Sequence, residues 1–296
     1  MSEASPFGRL LTAMVSPMHQ DGSLDTAGAR RLAEHLVATG HDGIVVNGTT
    51  GESATLSEDE SLEMVRLVAD AVGDRAKIVA GVGSNATAHS VAMARRAVEA
   101  GATGLLLVTP YYNKPTQAGV VAHCRAVAEV TDLPVMLYDI PGRTAIPFTS
   151  ETLRELATVP SIVAVKDAKG DPWASTKVMA ATDLIYFSGD DATTLPWLAL
   201  GAVGTVSVVG HVAGREYAAM IDAVDRGDLP AARDLHRRLI PAVDAIMSTS
   251  QGAIMAKAAL VELGVIEHAT VRLPLVESPP EHLDILRTGL KESGLL

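Results

Sequence analysis

The sequence has a single cysteine, Cys124, in 296 residues. One thiol excludes an intrachain disulfide framework and fits a reducing compartment, so a cytoplasmic protein is expected. Positive charge is also scarce: 24 Lys and Arg stand against 35 Asp and Glu, giving a formal net charge of −11. That balance speaks against a nucleic-acid-binding face, which needs a basic surface. It leaves room for a locally positive pocket that takes an anionic substrate. No run of 18 apolar residues occurs and the mean hydropathy is only +0.23, which excludes a membrane-spanning helix. The opening residues, MSEASPFGRL, lack a basic stretch followed by an apolar one, so no secretory signal is expected. The nine histidines show neither HExxH nor any paired ligand spacing, so no metal is expected. Internal repeats, low-complexity tracts and long linkers are missing too.

What the chain does have is regular alternation. Short apolar runs rich in β-branched residues recur at Leu10–Val15, Gly43–Val46, Lys77–Val82, Gly104–Val108, Pro134–Tyr138, Ile162–Val165, Leu184–Phe187 and Thr205–Val209. Each is too short for a typical helix, and most are continuously apolar, as parallel strands buried on both faces require. Helical periodicity fills the gaps. Segment 26–39 places Leu32, Ala33, Leu36 and Val37 on one face, and 58–72 opens with Ser57 and Glu60 at capping-box spacing. Eight β-type runs alternating with helices predict a parallel (β/α)₈ TIM barrel, with an open doubly wound sheet as the runner-up. After Val209 only helices are expected: 213–226, about 229–263 and 281–292, broken at Gly227–Pro230, Gly264 and Pro279-Pro280. The reading is therefore a barrel over residues 1–224 that carries the active site, with a C-terminal helical region over 225–296.

In such a barrel the chemistry sits where the strands end. Polar residues concentrate there: Gly48–Ser53 after the second run, Thr109–Pro115 after the fourth, Tyr138–Thr144 after the fifth and Ser188–Asp191 after the seventh. Lys166 directly follows Ile162–Val165. A buried ammonium without a partner lowers its pKa, and a partly neutral lysine is a nucleophile toward carbonyls. An ion pair with Asp167 or Asp190 that merely ties the barrel together is the alternative at this point. The Gly48–Ser53 loop, leading into a helix, is an anion nest or an ordinary turn. Tyr111, Tyr112 and Tyr138, three of the five tyrosines, fall at these rims as proton carriers or as packing. Arg143 either grips a carboxylate or is a solvated loop arginine. Other features lead nowhere: Gly81–Ala86 is a loose dinucleotide fingerprint without its acid, Asp190-Asp191 reads as a strand-end cap rather than a cation site, and Cys124 as core.

Together the motifs GTTGES (48–53), TPYYNKP (109–115), LYDIPGRT (137–144), VKDAKGD (165–171) and SGDD (188–191) resemble the dihydrodipicolinate synthase family of class I pyruvate aldolases. The likeness spans nearly the whole chain, in order. It implies a Schiff-base lyase that needs no cofactor, with Lys166 condensing with pyruvate. Thr49 and Thr50 would hold the pyruvate carboxylate, and Tyr138 would move protons in a relay with Thr49 and Tyr112. Tyr112 would enter from a neighbouring subunit of a homotetramer, and Gly189 and Val206 would line the pyruvate pocket. Arg143 would receive the carboxylate of L-aspartate 4-semialdehyde. The sialic-acid lyase branch lacks an arginine at that place, which favours the synthase over another pyruvate-dependent aldolase acting on a sugar acid. A non-catalytic oxo-acid-binding barrel would be expected to have lost one of Lys166, Tyr138, Thr49 or Tyr112.

One departure concerns regulation. Feedback-inhibited members bind lysine where Ser53, Ala54, Leu56, Asn85 and Tyr111 stand here, but two histidines are replaced by Glu58 and Ser61 and an acid by His89. Losing that acid removes a partner for the inhibitor's ammonium group, so weak or absent lysine inhibition is expected.

Overall fold

A computed structural model of the protein describes residues 5–296. Eight parallel strands form at the eight apolar runs: β1 (Leu10–Ala13), β2 (Gly43–Val46), β3 (Lys77–Gly81), β4 (Gly104–Val108), β5 (Val135–Asp139), β6 (Ile162–Asp167), β7 (Ile185–Ser188) and β8 (Gly204–Ser207). Each pairs with its neighbour in sequence, and β8 pairs with β1, so the sheet closes into a TIM barrel. The helices around it are α1 (Thr26–Ala38), α2 (Glu58–Val72), α3 (Thr87–Glu99), α4 (Gln117–Ala128), the one-turn α5 (Pro141–Thr144), α6 (Ser150–Leu156), α7 (Pro172–Met179), α8 (Thr194–Ala199) and α9 (Gly210–Asp225). Three more follow: α10 (Leu229–Met247), α11 (Gly252–Glu262) and α12 (Pro280–Glu292). Among the described residues no helix is long and apolar enough to cross a membrane.

Side chains alternate across a strand, so every strand faces two layers. Leu11, Val45, Val79, Met136, Phe187 and Val206 fill the barrel interior. Ile44, Ile78, Leu105, Leu137 and Val165 pack outward against the helices. Both faces are dry, which is why the runs carry no polar alternation. Each Leu or Val buried this way contributes roughly 1.5–3 kcal/mol relative to exposure. Phe7 closes the end where strands begin. A Cβ on Gly104, the first residue of β4, would lie 2.7 Å from its ring, and one on Gly43, the first of β2, 2.5 Å from its carbonyl oxygen. Glycine is required there by close approach, not by backbone freedom.

The structure departs from the periodicity where tertiary partners take over. β8 stops at Ser207 because the N–H groups of Val208 and Val209 donate to the Asp191 carboxylate at 2.9 and 3.3 Å. β1 stops at Ala13, since the Val15 N–H donates to His211 Nε2 at 3.0 Å. The helix expected over 229–263 is two helices, because Gln251 caps a new one by accepting the Ala253 N–H at 2.6 Å. Leu229-Pro230 is not a break but the first turn of α10, capped by Asp228, a position where the missing proline N–H costs nothing. Arg143, read as a loop residue, lies on α5. Tyr217, Leu239, Ile246, Leu286 and Leu290 of α9, α10 and α12 share one apolar cluster with Leu10 of β1, while α11 inserts Ala256 and Leu260 into the layer around the barrel.

Candidate active site

Strand register builds the centre of the site. Tyr138 on β5 and Lys166 on β6 are direct cross-strand neighbours, and both follow inward-facing residues by two positions (Met136 and Ala164). Both side chains therefore point into the barrel at the end where the strands finish. Lys166 Nζ lies 4.1 Å from the centroid of the Tyr138 ring, a cation–π distance. Lys166 is 4% exposed and has no ion pair among the described residues, unlike the half-buried Lys169, paired with Asp139 at 3.3 Å, and the buried Lys257, paired with Glu52. The structural alternative for Lys166 is thereby resolved geometrically. The Asp167 carboxylate accepts from Ser175 Oγ and the Lys169 N–H on the other face of the strand, and Asp190 caps the Asp191–Thr193 turn.

Burial presses the Lys166 pKa down to about 8; the Asp191 carboxylate works against this, and the Arg143 guanidinium adds to it. A substantial fraction of the amine is then neutral near physiological pH. Asp191 itself is fully buried, held by Ser207 and the two N–H groups that end β8, and burial raises its pKa. Tyr138 is pushed up to about 12 by burial, moderated by Arg143, so its hydroxyl keeps its proton.

A cavity of about 1110 Å³ opens beside this pair, and its wall includes Thr49, Tyr112, Tyr138 and Arg143. Thr49 and Thr50 form the 3₁₀ turn Thr49–Gly51, entered from β2 through Asn47 and left through Glu52. Asn47 and Glu52 adopt left-handed backbone at φ 58° and 57°. Thr49 is exposed on the cavity side and Thr50 is buried. Neither residue's N–H makes a backbone hydrogen bond, which leaves two donors at the turn. Gly189 abuts the lysine: a Cβ there would lie 3.0 Å from Lys166 Cγ. Val206 is buried inside the barrel on β8. Lys166, Thr50, Gly189 and Val206 are not among the residues that line the cavity; Lys166 adjoins it through Tyr138.

Two expected relationships are not present within the single chain. Tyr138 has no hydrogen-bond partner that joins it to Thr49 or Tyr112. Tyr112 lines the cavity but is 87% exposed, on left-handed backbone at φ 74°, and makes no hydrogen bond to Thr49 or Tyr138. Ser53, Ala54 and Tyr111, the residues matched to a regulatory site, share the same cavity wall, whereas Leu56 and Asn85 do not line it. No group of three or more His, Cys, Asp or Glu side chains among the described residues is placed to hold a metal ion.

Some residues at the site have no role in the sequence reading. Asp191 appears there only as a cap, Asn47 not at all, and Glu52 only as a letter of a motif. Lys257 carried a usable signal: it is the one basic residue of α11, GAIMAKAALVE, an otherwise apolar helix in which a charge demands a partner.

The chain matches the Dihydrodipicolinate synthetase family over residues 6–293. It is 56% identical over 290 residues to the 4-hydroxy-tetrahydrodipicolinate synthase of Kineococcus radiotolerans, covering 98% of this chain and 94% of that one. Among solved structures it superimposes on that of DHDPS from Cyanidioschyzon merolae with lysine bound, at a TM-score of 0.95 and 43% identity, covering 98% of this chain and 99% of that one. The chloride-inhibited dihydrodipicolinate synthase from Acinetobacter baumannii complexed with pyruvate gives a TM-score of 0.94 at 34% identity, covering 98% and 100%.

Proposed function

The chain belongs to the dihydrodipicolinate synthetase family, and from that premise we infer that it is a lyase with 4-hydroxy-tetrahydrodipicolinate synthase activity, joining pyruvate to L-aspartate 4-semialdehyde in lysine and diaminopimelate biosynthesis. The observation that carries the chemistry is the buried, unpaired Lys166 at the end of β6 with its amine against Tyr138. The neutral amine adds to the pyruvate carbonyl and water leaves, giving an imine. The imine draws electrons from the neighbouring methyl, which loses a proton and becomes an enamine. That carbon attacks the aldehyde, whose oxygen takes up a proton. Attack of the product's own amine on the imine then closes the ring and releases Lys166.

Supporting groups follow from the geometry. The Thr49 and Thr50 N–H groups and the Thr50 hydroxyl hold the pyruvate carboxylate, and Gly189 and Val206 leave room for it. Tyr138, protonated at neutral pH, donates a proton and recovers it. Arg143, exposed on α5 at the cavity wall, meets the second substrate's carboxylate. The imine formed on Lys166 is the electron sink, so the proposed reaction calls on no cofactor. Tyr112, 87% exposed in the single chain, completes the Thr49–Tyr138 relay of a neighbouring copy, and the homotetramer that the family resemblance implies is the proposed working assembly. The single cysteine, Cys124, buried and unpaired, supports a reducing compartment, and the proposed site of action is the cytoplasm.

Acceptor choice is the test. Pyruvate consumption should be fast with aspartate semialdehyde and negligible with N-acetylmannosamine. The Arg143→Ala variant should lose about 100-fold in turnover with the semialdehyde, as expected when an orienting contact goes, while still forming the pyruvate adduct. Equal loss of both activities would contradict the role given to Arg143.

A further inference from the structure

The 3₁₀ turn Thr49–Gly51 is held from behind by a buried ionic clamp. Glu52, which ends the turn, is 4% exposed and stands on left-handed backbone, a conformation that costs a non-glycine residue energy and persists only where the surroundings enforce it. Its N–H donates to Thr49 O at 3.1 Å, closing the turn. Its carboxylate is fully engaged on the opposite side: Oε1 receives Lys257 Nζ from α11, and Oε2 receives the Arg272 N–H at 2.9 Å. Lys257, 0% exposed, donates also to Thr270 O at 2.6 Å. The Arg272 guanidinium continues the clamp to Gly22 O at 2.9 Å, Thr55 O at 2.8 Å and Glu60. None of these residues belongs to the cluster that fills the barrel interior, although Glu52 and Thr55 share the cavity wall with Thr49. Together they fasten the loop between β2 and α2 to α11 and to the segment 264–279 that follows it.

We propose that Glu52 is a positioning residue. Through Lys257 and Arg272, the C-terminal region sets the angle at which the Thr49 and Thr50 donors meet the 2-oxo acid carboxylate. This rests on the reading of that turn as the carboxylate grip. A clamp of this kind acts on binding of the 2-oxo acid rather than on the amine chemistry at Lys166, because Glu52 touches neither Lys166 nor Tyr138. It also gives the helices beyond the barrel a part in catalysis: a displacement of α11 is passed to the turn through one salt bridge.

The test is the pyruvate concentration that half-saturates borohydride trapping on the full-length enzyme, with KM and kcat measured alongside. Glu52→Gln should raise half-saturation and KM for pyruvate by at least about tenfold, since small misplacements of an orienting group are costly, and leave kcat within about threefold. Stability is separated by the double variant Glu52→Gln/Lys257→Met, which removes the stranded charge and replaces the pair by a neutral one. It should recover much of the melting temperature lost by Glu52→Gln but not its affinity for pyruvate. If Glu52→Gln does not accumulate folded, Arg272→Ala is the second variant, with a rise of about threefold expected. Unchanged half-saturation in a folded variant overturns the proposal, as does recovery of pyruvate affinity in step with stability. Absence of any adduct in the unaltered enzyme would instead refute the Schiff-base reading itself.

Discussion

At the scale of single residues the protein turns on contrasts between like groups. Lys166 and Lys257 are buried and Lys169 is half-buried, and of the three only Lys166 is left without a carboxylate, because the acid beside it in sequence, Asp167, points to the opposite face of β6. Alternation along a strand thus separates Lys166 from the neighbour most able to neutralise its reactivity. The pH dependence follows with a definite sign. Below about 8 the amine is mostly protonated and inert; above it the neutral nucleophile predominates. The rate of adduct formation at low pyruvate should therefore climb as pH rises through about 8 and then level. A flat profile between pH 6.5 and 9.5, scanned by stopped-flow absorbance, would show that the burial of Lys166 does not tune it. The burial of Lys166 at a strand end was legible in the sequence from its place after an apolar run, whereas its inward face came only from the strand register. Its lack of a partner was not, because Asp167 and Asp190 offered equally plausible partners until their hydrogen bonds were known.

At the scale of elements, strands were more legible than helices and loops. A strand buried on both faces writes itself as a run of Val, Ile and Leu, as at Gly104–Val108, where expected and observed limits coincide. The ends of β1 and β8 were not readable, because His211 and Asp191 intercept backbone donors from far along the chain. The start of α11 depended on one Gln251 cap inside a continuous apolar pattern. The clamp on Glu52 joins residues more than 200 positions apart, beyond the reach of local pattern. The positions expected to differ from lysine-inhibited relatives, Glu58, Ser61 and His89, lie on α2 and α3. Glu58 at the start of α2 is already bound by His89 Nδ1 at 3.1 Å and by Arg96 at 2.7 Å, both from α3. It does not replace the missing acid as a free partner for a lysine ammonium. We therefore expect titration with free L-lysine to leave the steady-state rate unchanged up to about 1 mM, the scale on which a single surface-exposed charge contact gives no useful affinity. Sub-millimolar inhibition would show that another group does the binding.

At the scale of the whole molecule, the barrel strands are tied to the helices around them by buried polar groups as well as by apolar packing. His41 and His211 lie in the layer that joins β1 to α1 and α9. Thr12 Oγ1 lies 2.7 Å from His41 Nε2, and His41 Nδ1 and His211 Nδ1 donate to carbonyls at 2.7 Å each. Burial lowers their pKa values to about 4 and about 3. In the unfolded chain they titrate near 6.5. Their contribution to stability is therefore complete above 6.5 and is lost progressively as pH falls toward 4 and 3, because the unfolded chain binds protons that the fold refuses. Glu60, lowered to about 2 by Arg272, acts in the same direction below 4.5, whereas Asp139, raised to about 6 by burial, opposes them. The two histidines together outweigh the opposing shift of Asp139, so the melting temperature should fall below pH 6.5. His211→Gln should be less stable at neutral pH yet show a shallower acid slope by calorimetry. An unchanged slope would mean that other groups govern acid unfolding.

The most direct test of the account is covalent. Borohydride reduction in the presence of pyruvate, followed by peptide mass mapping, should place one pyruvate-derived adduct on Lys166 and none on Lys169 or Lys257, with no adduct in Lys166→Ala. An adduct on a different lysine, or none on a folded and active enzyme, would contradict it.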